Sequence, residues 1–139
     1  MEARRVIEIS LTELAACRAT DQQRVELVEL SAAFDAQMNV EEFRDLNHRF
    51  HMAVGECCGN ALLFELYGRV LQAVFESSAF ASLLHGGLQA DEVKEIVDQV
   101  GKGHRQIAQA VHDGNVIFAA EAAADHVAEV ENQVFEKLI

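Results

Sequence analysis

Apolar residues recur three and four positions apart along most of this chain, and no proline breaks the pattern. Residues at those spacings share one face of an α-helix, so each run marks a helix with a face to bury. Six such segments follow from the pattern and its punctuation. The first covers Glu2 to about Ala19, and Thr20-Asp21 caps a second that continues to about Gln37. Asn39 opens a third that ends at Gly59. In "CCGN" the glycine fits a left-handed helix terminus, and Asn60 is a structural cap for the fourth, which reaches the serines at 77 and 78 or just beyond. "HGGLQADE" reads as a loop containing Gly86 and Gly87. The fifth segment runs from Ala90 to His112, "DGN" makes a turn, and the sixth occupies Val116 to Leu138. Short connections between long helices imply antiparallel neighbours. The expected fold is therefore an all-α antiparallel bundle of about six helices, forming one domain over residues 1–139.

Composition narrows the function. Half of the 139 residues are apolar, enough for a real core. Eleven basic residues against twenty-three acidic ones give a formal charge of −12, and the basic residues form no stripe. A surface of that sign is repelled by nucleic acid and by anionic lipid. No apolar run approaches the roughly 20 residues of a membrane span, and no leader opens the chain, so the expectation is a cytoplasmic protein. Three cysteines, Cys57 and Cys58 adjacent, fit neither a disulfide framework nor a zinc knuckle and read as core filler.

Polar residues on the apolar faces carry the chemistry. In the third segment Phe43, Asn47, Phe50, His51 and Val54 share a face, whereas His48 lies with Arg44 and Asp45 on the wetter side. In the fifth, His104 belongs to the stripe of Val97, Val100, Ile107 and Val111. In the sixth, His126 lies among Ala119, Ala122, Ala123 and Val130, whose small side chains leave it room. His104 stands eleven residues before Asn115 and His126 eleven after it. In an antiparallel hairpin both imidazoles thus lie at one level, roughly 16 Å from the turn at about 1.5 Å per residue. An inward histidine taken singly is more often a satisfied core residue than a ligand. The matched pair, joined by the Asn47/His51 couple, leaves a metal site equally open on geometry alone. Three imidazoles and an amide suit Zn²⁺ or Ni²⁺.

Arg4 shares a stripe with Ile7, Leu11 and Leu14. Two readings stand: a guanidinium that snorkels or pairs with Glu8 one turn on, or one held to clamp a carboxylate.

These residues resemble a family. "EARRVIEISLTELAACRAT" is similar to the "ExRxxLE...AAxxAT" opening of the FCD domain, the C-terminal ligand-sensing domain of GntR-type bacterial transcription regulators. "NHRFHMAVGECCGN" resembles its "(D/N)xxFHxxLxxxxGN", "GHRQIAQAVHDGN" its "EHxxIxxAIxxGD", and "AAEAAADHV" its "AxxAxxxHL". The resemblance implies a bundle around a central cavity, with a divalent metal held by Asn47, His51, His104 and His126 and a small carboxylic acid effector reached by Arg4. It implies a homodimer that meets DNA only through a winged-helix domain, which these residues do not include. Asn47 stands where many members have Asp, and Gly103 replaces the usual acidic neighbour of the second histidine. His48, His85 and His112 are expected bystanders.

A metal-dependent enzyme and a metal-free helical interaction module are the rival readings. Asp45 and Asp125 adjoin ligands in sequence and so point elsewhere on their helices, which leaves the enzyme without a general base.

Overall fold

The structure, a computed structural model, describes residues 1–77 and 88–138. The expected Gly86-Gly87 loop and His85 lie outside the described residues. The described residues form six helices and no strand: α1 (Glu2–Arg18), α2 (Asp21–Ala32), α3 (Val40–Glu56), α4 (Ala61–Glu76), α5 (Ala90–His112) and α6 (Val116–Leu138). The all-α bundle is thus as the periodicity requires.

Side chains at the helix starts explain most boundaries. Thr20 and Gln23 form a reciprocal capping box at the start of α2. Asn39 Oδ1 accepts the Glu42 N–H at 2.8 Å, Asn60 Oδ1 the Leu63 N–H at 3.0 Å, and Asn115 Oδ1 the Phe118 N–H at 3.0 Å. Each satisfies a backbone donor that a helix start leaves bare. Gly59 (φ +67°) and Gly114 (φ +66°) make the left-handed turns before Asn60 and Asn115.

Two helices stop earlier than their periodicity suggests. The second was expected to reach Gln37 but ends at Ala32. Asp35 Oδ1 accepts the Gln37 N–H at 2.9 Å, a local turn that competes with helix. The turn sends Phe34 into the core, its ring edge-on to Phe43, Phe50 and His104. The third was expected to reach Gly59 but ends at Glu56. Cys57 and Cys58 fold inward there as buried free thiols, and burial pushes the Cys57 thiol up to about 11. Cys17 departs from the core-filler expectation, because it lies exposed on α1.

α1 is central and packs against α3, α4, α5 and α6, while α2 lies on α3 and α5. Leu11, Leu27, Phe50, Tyr67, Leu71, Ile107 and Val111 are fully enclosed in the resulting core. α5 and α6 pack along one another across the tight turn at Gly114, so they run antiparallel. No helix among the described residues is long and apolar enough to cross a membrane.

Candidate metal centre

The three inward histidines come together from three helices. His51 Nε2 lies 3.2 Å from His104 Nε2. The ring centroid of His126 is 4.7 Å from that of His104 and 5.4 Å from that of His51. One nitrogen from each of the three falls within 4.8 Å of the others. Zn–N bonds of about 2.0–2.1 Å put neighbouring ligand nitrogens roughly 3–3.5 Å apart, so little closure is needed for all three to meet one ion.

Local packing fixes each ring. Phe50, adjacent to His51 in sequence, turns its face to His104: the rings stack with centroids 4.2 Å apart and planes 20° apart. Phe34 closes on the same imidazole at 4.6 Å, edge-on. His126 sits among Ala119, Ala122 and Ala123, all buried. Opposite lies Gly103, where a Cβ would stand 2.7 Å from His126 Nδ1. Gly103 is therefore more than a missing acidic neighbour of His104: its bare backbone makes the space that the His126 ring fills.

All three histidines are at most 2 % exposed. Burial lowers all three below the usual imidazole range, His126 to about 3, with the neighbouring histidines adding to the effect at His104 and His126. Neutral imidazoles with free lone pairs are what a divalent ion requires. Two ring nitrogens, His104 Nδ1 and His126 Nε2, are buried without a hydrogen-bond partner. A bare polar atom in a core costs stability unless something satisfies it, so the donor set fits a metal ion. Asn47 lies one turn before His51 on α3 and is partly buried. Outside the cluster, His48 is exposed with its ring edge-on to Phe75, and His112 is exposed beside Asp113.

Arg4 does not snorkel. It is 1 % exposed, and its Nε donates to Glu8 Oε2 at 2.8 Å. Its Nη2 lies 3.4 Å from His51 Nε2, and its Nη1 is buried without a partner. The two sequence readings meet here: the pair with Glu8 forms, and a donor is left over. Glu8, itself 2 % exposed, also approaches His51, with Oε1 at 3.3 Å from Nδ1. Burial would raise its pKa, but Arg4 and His51 outweigh burial and hold the carboxyl well below the usual range. Glu8 in turn keeps the buried Arg4 charged against desolvation.

Tyr67 was not singled out in the sequence. It lies fully buried on α4 with its hydroxyl 3.0 Å from His51 Nδ1, and burial and the Glu8 charge push its pKa well above the phenol range. The signal was available: the one tyrosine of the chain falls in the apolar stripe of Leu63, Leu71 and Val74, where a hydroxyl needs a partner.

The site thus has two parts, three neutral imidazoles around one point and an Arg4–Glu8–Tyr67 group around His51, with Arg4 at its Nε2 and Glu8 and Tyr67 at its Nδ1. No curated protein and no solved structure is significantly similar to this chain. A model of the FCD domain matches residues 1–129, nearly the whole of it. The chain belongs to the FCD domain family, the regulatory ligand-binding domains of GntR-type transcription regulators.

Proposed function

We propose that this domain senses a small carboxylic acid through a divalent metal ion held by Asn47, His51, His104 and His126, with Zn²⁺ or Ni²⁺ the ions that suit such donors. The observation that carries the reading is the meeting of three buried imidazoles, one nitrogen from each within 4.8 Å of the others, with Arg4 Nη1 buried without a partner on a guanidinium that touches His51. The nitrogens call for a cation and the guanidinium for an anion. A carboxylate beside a bound cation answers both.

When bound, the ion supplies a Lewis-acidic anchor for an oxygen of the acid. The protein does the rest. Arg4 offers Nη1, and in some part Nη2, to the carboxylate while Glu8 fixes its Nε end. The charges of Arg4 and Glu8 cancel and the donors are neutral, so the loaded site carries about +2 and favours an anionic ligand. Because α1, α3, α5 and α6 each contribute a residue, a ligand that prefers one packing of these helices shifts the population toward it.

In this reading the domain is also the dimerisation unit of a cytoplasmic regulator, and an attached winged-helix domain contacts DNA. Val6 on α1 and Leu62 and Leu66 on α4 are exposed apolar residues, which supports these helices as the pairing surface. The deciding experiment is metal content per chain by elemental mass spectrometry on untagged protein prepared without chelator. About one ion per wild-type chain, lost in His104→Ala, supports the site and opens a thermal-shift screen of carboxylic acids. No ion after incubation with zinc or nickel rejects it.

A further inference from the structure

The contacts around His51 fix which of its nitrogens carries the proton. Arginine has donors only. Its Nη2 at 3.4 Å therefore requires a lone pair at His51 Nε2, which places the proton of the neutral ring on Nδ1. Nδ1 faces two oxygens that can accept it, Tyr67 Oη at 3.0 Å and Glu8 Oε1 at 3.3 Å. The Tyr67 hydroxyl accepts from Nδ1–H and keeps its own proton, since burial and the nearby Glu8 charge push its pKa well above the phenol range. Every contact agrees: Nε2, the nitrogen turned toward His104 and Arg4, is the one without a proton.

Glu8 itself stands outside the cluster of atoms that could meet one ion, which comprises His51, His104 and His126. It lies on the far side of the His51 ring. A carboxylate in that place raises the basicity of the imidazole and holds its orientation.

We propose that Glu8, with Tyr67 beside it, is the positioning residue of this centre: it locks His51 in the Nδ1–H tautomer and supplies, one layer out, the negative charge set against the ion and Arg4, which the neutral ligands Asn47, His51, His104 and His126 lack. The inference rests on the metal-site reading above. Four neutral donors set no charge against a dication that lies beside the buried Arg4 guanidinium, and Glu8 is a fully enclosed carboxylate in contact with both Arg4 and a proposed ligand.

The test measures Zn²⁺ affinity by competition with a chromophoric chelator, together with long-range ¹H–¹⁵N spectra of the metal-free protein. Glu8→Gln keeps the shape and a hydrogen-bonding oxygen but removes the charge. Zinc affinity is expected to fall roughly 10- to 100-fold, the usual cost of losing such a partner. Adding Asn47→Asp, which returns a negative charge to the ligand set, is expected to recover most of that loss. Asn47→Asp is expected to gain more affinity in the Glu8→Gln background than in the wild type, whereas a purely structural role for Glu8 predicts equal gains in the two. Tyr67→Phe leaves the direct Glu8–His51 contact and is expected to cost less than Glu8→Gln. The spectra of the wild type should show a protonated Nδ1 and a bare Nε2 at His51, and this measurement stands even if Glu8→Gln fails to fold.

Unchanged zinc affinity in Glu8→Gln, or a protonated Nε2 in the wild type, overturns the proposal. Wild-type protein that takes up no zinc overturns the site itself. Uptake by the wild type with an indifferent Glu8→Gln overturns the role of Glu8 alone.

Discussion

Gly103 on α5 and His126 on α6 pack so closely that the glycine cannot carry a side chain while the ring stays where it is: a Cβ at 103 would stand 2.7 Å from Nδ1. The contact joins the hairpin at the level of the histidine cluster. It sets two effects of an alanine substitution against each other. Alanine in a helix interior gains about 1 kcal/mol over glycine, whereas overpacking a core costs typically about 1–3 kcal/mol. The imidazole is a rigid ring on a packed helix, so the clash is expected to win. Gly103→Ala should be neutral to destabilising by about 2 kcal/mol and should weaken zinc binding at least tenfold. Gly68→Ala is the control, because a Cβ there meets only the flexible end of Met52 at 3.7 Å. It should stabilise the protein by about 1 kcal/mol. Equal effects of the two substitutions in urea unfolding would show that the 2.7 Å contact carries no energy.

Replacing His104 separates structural from metal-binding roles. Its Nδ1 is a buried nitrogen without a partner, and its ring already packs on Phe34 and Phe50. His104→Leu therefore removes a desolvated polar atom from an apolar setting. The metal-free variant should melt at the wild-type temperature or above it. Its response to zinc should vanish, whereas the wild type gains about 2.7 kcal/mol at a zinc concentration 100 times the dissociation constant. A variant that zinc stabilises as strongly as the wild type would remove His104 from the ligand set.

Acid should destabilise the metal-free protein earlier than carboxylate titration alone would. His51, His104 and His126 all have folded pKa values below the free imidazole value of 6.5, His126 at about 3. Protons thus bind the unfolded chain first. Stability from these groups is complete above about pH 6.5 and falls as the pH drops below it, by up to about 1.4 kcal/mol per pH unit for each histidine. The part due to His126 continues to fall until about pH 3. Urea midpoints between pH 7.5 and 5 should decline accordingly, and His126→Leu should flatten the slope. A midpoint independent of pH over that range would contradict the burial of these rings as neutral groups.

Arg24 ties together helix ends on the side of the turns. Its Nε donates to Ala19 O and its Nη2 to Ala16 O, each at 3.1 Å, and its Nη1 donates to Val111 O. One guanidinium therefore satisfies carbonyls at the ends of both α1 and α5. Arg24→Met should cost about 2–3 kcal/mol, because it leaves several carbonyls in a partly buried place without donors. Arg24→Lys should recover less than half of that, since one ammonium cannot reach three carbonyls in a fork. Zinc stoichiometry should be unchanged in both, and guanidinium unfolding of the two variants reads the difference.

The sequence by itself determined the number and order of the helices, the caps at Thr20, Asn39 and Asn60, and the inward face of His51, His104 and His126. These depend on spacings of three and four and on side chains that bond backbone within three residues, all of which are local. It also placed His104 and His126 at one height, because a tight turn at Gly114 leaves an antiparallel hairpin little choice of register. Tertiary structure decided what is not local. Phe34 leaves its helix because three rings on α3 and α5 reward its burial more than five further residues of helix would. Gly103 matters through the ring across from it on α6. Glu8 could be paired with Arg4 on paper, but its approach to His51, and the arrival of Tyr67 at the same nitrogen, need α1, α3 and α4 packed around one point. A polar atom buried by the fold must find its partner wherever the fold brings one, and helical periodicity carries no information about that.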